Sequence, residues 1–167
     1  MTIAFTDVQY DEPTRTARAA CVLASDWSDA APTRSVTELI SGIAEYEPGA
    51  FYKRELPCLL RVLAKAGAVQ CVVIDGYVWL DREGTRGLGA HLHEALGRGV
   101  PVIGIAKTAF KGSEMALKLM RPGSDKPLFV TAAGITAETA LAHAQRLHGA
   151  FRIPTLLKDV DTLARGK

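Results

Sequence analysis

Val-Gln-Cys-Val-Val-Ile-Asp-Gly-Tyr-Val-Trp, residues 69–79, is the stretch from which the fold is read. Val72, Val73 and Ile74 form an unbroken β-branched run, which Cys71 extends and Gly76 ends. A run with so little polar alternation reads as a strand covered on both faces, the central strand of a layered α/β domain. Asp75 stands at its carboxyl end, where open α/β sheets place ligand-binding and catalytic groups. Asp-Gly is also a common turn pair, so Asp75 alone has a bland explanation beside the functional one.

The neighbouring segments extend this pattern. Residues 80–86 form a loop carrying charges of both signs. Residues 87–97 take helical spacing through Leu88, Leu92 and Leu96, and residues 101–106 form another buried strand. Strand, helix and strand in that order predict a right-handed parallel crossover, which puts Lys107 on the same rim as Asp75. Upstream, Leu56, Leu59, Leu60 and Leu63 lay one apolar stripe along a helix at 51–66. Pro57 sits near its start and Gly67 ends it. Glu55 falls in or just before its first turn, where an acid also suits the helix dipole.

Before that helix, strands at 2–10, 16–25 and 34–40 are separated by a turn at Asp11-Glu12-Pro13 and a loop at 26–33. The short connections predict an antiparallel meander. Residues 41–49 are irregular and end on the turn pair Pro48-Gly49. Residues 108–126 are rich in lysine, with Met115, Leu117, Leu119 and Met120 in either a short helix or a strand. A strand at 126–132 follows. Next come a helix at 136–149, capped by Thr136 and ended by Gly149, and a last helix at 154–164.

A chain of 167 residues suits one domain, residues 1–167, with a sizeable core. The hydrophobic fraction is 48% and the charged fraction 23%, ordinary for a soluble protein. A net charge of +2 leaves any case for a nucleic-acid partner to local clusters of charge. Cys21, Cys58 and Cys71 are odd in number and widely spaced, which fits buried thiols in a reducing compartment and neither a disulfide framework nor a zinc site. With no signal-peptide pattern and no apolar run of spanning length, the expected location is the cytoplasm, away from membranes.

A meander joined to a βαβ unit matches the ribonuclease-H-like architecture, a three-layer α/β fold with a mixed central sheet flanked by helices. In that arrangement the first strand lies beside the strand ending at Asp75, so Asp7 and Asp75 become neighbours. Asp7 interrupts an apolar strand, and a buried unpaired carboxylate is costly. Glu55 starts the helix that links the two in sequence. Three carboxylates converging on a sheet rim suit Mg²⁺, with Mn²⁺ as a substitute, and metal-assisted hydrolysis of a phosphodiester. Lys107 would hold a phosphate beside them.

These residues carry a resemblance to the endonuclease V family over nearly the whole chain. Ile-Ala-Phe-Thr-Asp-Val-Gln-Tyr, residues 3–10, resembles the family's first metal-binding aspartate segment, which implies Asp7. Glu-Tyr-Glu-Pro-Gly-Ala-Phe-Tyr-Lys-Arg-Glu-Leu-Pro, residues 45–57, resembles its Tyr-x-Pro-Gly wedge followed by Phe-Arg-Glu, with Tyr52 and Lys53 inserted before Arg54. It implies Tyr46, Pro48 and Gly49 as nucleic-acid contacts and Glu55 as a metal ligand. Val-Val-Ile-Asp-Gly implies Asp75, and Gly-Ile-Ala-Lys implies Lys107 as the catalytic-site lysine. Phe-Arg-Ile-Pro, residues 151–154, resembles the entry to the last helix. The resemblance implies Mg²⁺-dependent nicking of DNA near inosine, a repair activity, at the second phosphodiester on the 3′ side, with RNA as the other candidate strand.

The chain departs from the family pattern at several points. It is short at its N-terminus. Tyr77-Val78 and Asp81 stand where the family has histidines, Asp161 replaces a histidine of the last helix, and His91 takes the place of a helix histidine shifted by one. Asp81, His91 and Asp161 are therefore expected, at most, around the metal ligands. The rival expectation is a nucleic-acid-binding module on the same fold, non-catalytic or altered in specificity.

Overall fold

The computed structural model describes residues 1–167. Seven strands form one mixed sheet in the order β3-β2-β1-β4-β5-β7-β6. The strands are β1 (Ile3–Asp11), β2 (Thr16–Ala24), β3 (Arg34–Ser41), β4 (Cys71–Asp75), β5 (Val102–Ala106), β6 (Leu117–Leu119) and β7 (Leu128–Ala133). The four helices are α1 (Tyr52–Ala66), α2 (Leu88–Ala95), α3 (Ala137–Gln145) and α4 (Thr155–Ala164). The first three strands make the expected antiparallel meander, and β1 and β5 flank β4 in parallel. The architecture is the α/β, ribonuclease-H-like one.

Two apolar layers enclose the sheet. Ala4, Val8, Val72 and Ile74 pack with Leu59, Val62, Leu63 and Leu92 of α1 and α2. Ile3, Phe5, Cys71 and Val73 pack with Ala140, Ala144, Leu156 and Val160 of α3 and α4. Strand alternation explains the division, since successive side chains point to opposite faces. By the same parity Asp7 follows Ile3 and Phe5, and Asp75 follows Cys71 and Val73. Both acids thus share the face covered by α4.

Several boundaries differ from the sequence reading. Asp11 stays in β1, because the reversal waits for Arg15, which takes a left-handed φ of 53°. On α1 the buried stripe is Cys58, Leu59, Val62, Leu63 and Ala66, while Leu56 and Leu60 lie at its margin. Pro57 lies inside the helix, its sixth residue. Residues 108–126 contain both alternatives in miniature: a 3-10 turn at Ser113–Met115 and the edge strand β6. Thr136 caps α3 as expected, its Oγ1 accepting from the Thr139 N–H at 3.1 Å. That helix ends at Gln145 and not at Gly149, and the Leu147 and Gly149 carbonyls beyond it accept from the Arg121 guanidinium. No helix is long and apolar enough to cross a membrane.

Candidate active site

The middle of β1 and the carboxyl ends of β4 and β5 meet α4 in a narrow cleft lined by Asp7, Asp75, Lys107 and Asp161 above an apolar floor. Asp7 is delivered by β1, and Asp75 by the last residue of β4. Lys107 follows β5 directly, and its Nζ donates to Asp75 Oδ2 at 3.1 Å. Asp161 arrives from α4, where Arg165 one turn on donates from Nε to its Oδ2 at 3.0 Å. Gln9 lies between two of the acids: its Nε2 donates to Asp7 Oδ2 at 3.3 Å and to Asp161 Oδ1 at 3.4 Å.

Glu55 approaches from the other layer, on the first turn of α1. Its neighbour Arg54 fixes that turn. The Arg54 guanidinium lies 4.0 Å from the Tyr10 ring centre and pairs with Glu12, while Phe51 packs edge-on against Tyr10 at 6.4 Å. The positive charge next to Glu55 in sequence is thereby held on the β1 side of the helix, from where it only partly offsets the rise of the Glu55 carboxyl.

Electrostatics tie the acids together. Burial, then the charge of Asp75, pushes the Asp7 carboxyl up to about 6. Burial, then Asp7 and Asp75, pushes Glu55 up to about 8, with no hydrogen bond to relieve it. Asp161 moves the other way: partial burial is outweighed by its hydrogen bonds with Arg165 and Asp7 and by the charges of Arg165 and Lys107. The cleft thus concentrates hard oxygen donors whose negative charge is only partly answered by Lys107. That donor set fits a small divalent cation such as Mg²⁺, which takes few carboxylates and keeps several waters. As the side chains stand, no three His, Cys, Asp or Glu donors are gathered tightly enough to hold a metal directly.

The remaining expected residues lie around this centre. Tyr46 is 61% exposed in the loop before α1, together with Pro48 and Gly49, whose φ is 79°. An open cavity of about 240 Å³ runs from Gly49, Phe51 and Tyr52 to Gly76 and Tyr77, with Asp75 in its wall. His91 stacks on Tyr52, ring centres 3.6 Å apart, and so belongs to the support of that region and not to the carboxylates. Asp81 is turned into its own loop, accepting from the Glu83 and Thr85 backbone N–H groups at 3.0 Å and from the Thr85 hydroxyl. The structure does not bring it to the cleft. The sequence alone assigns no site role to Gln9 or to Arg54. A cation next to Glu55 and an amide two residues from Asp7 were the available signals.

The Endonuclease V family model matches residues 1–133. Among solved structures, endonuclease V of Streptomyces avermitilis is 25% identical with a TM-score of 0.78, the match covering 99% of this chain and 80% of that one. Endonuclease V of Ciona intestinalis, in complex with a 24mer DNA containing an inosine followed by a ribo-adenosine, is 20% identical with a TM-score of 0.81, covering 99% and 84%. The catalytic domain of human endonuclease V is 20% identical with a TM-score of 0.81, covering 99% and 81%. No curated protein matches the sequence.

Proposed function

The chain belongs to the endonuclease V family, and from that premise we propose that it is a Mg²⁺-dependent endonuclease that nicks DNA, or RNA, near inosine. The observation that carries the proposal is the meeting of Asp7, Asp75 and Asp161 in one cleft, with Glu55 in electrostatic reach and Lys107 beside them. A buried Asp7, a half-buried Asp161 and an exposed Asp75 around one ammonium are a poor design for packing and a good one for a cation.

Asp7, Asp75 and Glu55 would hold the ion, and Asp161 would stand close by. When bound, the ion activates a water for attack and stabilises charge on the leaving oxygen. The chain's own residues do the rest. Lys107 exchanges Asp75 for a non-bridging oxygen of the scissile phosphate and orients it. Glu55, at about 8, keeps a proton on its carboxyl at neutral pH while the cleft is free. Arg165 and Gln9 keep Asp161 turned toward Asp7. The Tyr46-Glu47-Pro48-Gly49 turn would wedge the strand, a reading supported by its exposure and by the 240 Å³ cavity next to it, which would take the displaced base. A deaminated base pairs weakly and is cheaper to extract. Buried, unpaired cysteines suit action in the reducing cytoplasm.

A second reading, binding without cleavage, is favoured by one observation: no three donors are closed around a common point. Both are tested by nicking of inosine-containing strands with Mg²⁺ or Mn²⁺, beside filter binding of the same strands. The nuclease reading expects cleavage by the wild type and a loss of roughly 100-fold or more in Asp75→Ala, beyond the upper end of outer-shell effects. Equal nicking by both would remove the metal site, and binding without nicking would establish the second reading.

A further inference from the structure

Phe151 is 73% exposed, yet the loop that carries it is pinned on both sides. Arg121, itself buried, donates to the carbonyls of Leu147 at 2.7 Å, Gly149 at 3.1 Å and Phe151 at 3.3 Å. Arg152 donates to the carbonyls of Lys126 at 3.2 Å, Pro127 at 3.0 Å and Lys107. A phenyl ring loses free energy by staying in water, and a loose loop would let it fold back on the surface. Two guanidiniums hold it out instead. The bond from Arg152 to the Lys107 carbonyl also sets this loop against the residue whose ammonium pairs with Asp75.

The segment next to it carries exposed cations. Between residues 107 and 126 stand the exposed Lys107, Lys111, Lys118 and Lys126 against Glu114 and Asp125. Phe110, 41% exposed, rests edge-on against Tyr77 at 4.8 Å and presents a second ring in the loop after Lys107. Exposed rings among cations match a polyanion that has open π-faces, which means unpaired nucleotides. A duplex has the same phosphates but keeps its base faces stacked inside.

We propose that Phe151, with Phe110 in the adjoining loop, is a stacking platform for unpaired bases flanking the cut, while the lysines take the phosphates. The proposal rests on the nuclease reading and adds to it a preference for strands that are single or melted next to Lys107. Stacking tolerates any base, so the platform serves DNA and RNA alike.

The test is fluorescence anisotropy in EDTA, using short labelled inosine-containing single strands of DNA and of RNA, and the DNA strand annealed to its complement. Phe151→Ala is expected to weaken binding of both single strands by about 10-fold, the loss of one base–aromatic stack, and to leave the duplex nearly unaffected. Phe151→Trp is expected to bind as the wild type does, with its emission quenched by the strand. Wild-type affinity in Phe151→Ala, or an equal loss on the duplex, overturns the platform and leaves the nuclease reading in place. Failure of the wild type to bind any single strand also overturns the platform, while the nicking assay with Mg²⁺ decides the nuclease reading on its own.

Discussion

Glu55 is 7% exposed, and no hydrogen bond reaches its carboxyl. Its carboxyl is pushed up to about 8 by burial and by Asp7 and Asp75, so the folded chain holds a proton there that the unfolded chain releases at the ordinary glutamate value, about 4.5. Between those two values the native state binds more protons, and this group's contribution to stability falls as pH rises. Below the lower value the penalty is absent, and above the upper it is complete. Glu55→Gln has no such titration. Without divalent cations it should melt several degrees above the wild type at pH 8, with the advantage shrinking steadily toward pH 4 in thermal denaturation. A difference independent of pH would mean that the Glu55 carboxyl is not raised in the fold. Asp7 and Asp75 could be picked out along the chain because each stands in or ends an apolar run. Gln9 could not, because an amide in a strand carries no pattern until Asp161 is seen beside it.

Among the elements, β5 shows how closely the site's backbone is packed. A Cβ on Gly104 would collide with the Gly76 carbonyl oxygen and stand 2.9 Å from Thr131 Oγ1 and 3.1 Å from the Val78 N. Thr131 Oγ1 already accepts from that Val78 N–H at 2.8 Å. The segment leaving Asp75 is therefore wedged against β5. Gly104→Ala should cost about 2 kcal/mol, within the range for overpacking a core, and should also lower nicking, since the displaced backbone is the one holding Asp75. Denaturant titration and the nicking assay check the two parts, and a neutral outcome in both would show that the segment can retreat freely. Element types were legible in the sequence wherever period and length agreed, as in the Cys71–Asp75 run and the Leu59–Leu63 stripe. They were not legible in residues 108–126, where a single turn and a three-residue edge strand are too short for either period to show.

At the scale of the molecule, the order of strands follows from chain connectivity. A meander places β1 beside β2, and a parallel crossover places β5 beside β4. That much could be reasoned before any coordinates. The arrival of Asp161 is implied only by the family resemblance and not by connectivity, because it depends on how α4 lies across β1 and β2, a packing that joins residues 152 positions apart. Asp81 shows the converse: the sequence put it beside a motif, and a local turn consumed its carboxylate. The raised carboxyls of the cleft have one more consequence, for solution thermodynamics. An ion that settles there must expel the proton resident on Glu55 at neutral pH. Uptake of Mn²⁺ should then acidify an unbuffered sample. In titration calorimetry the apparent heat should vary with the ionisation enthalpy of the buffer, with a slope near one proton per site that vanishes in Glu55→Gln.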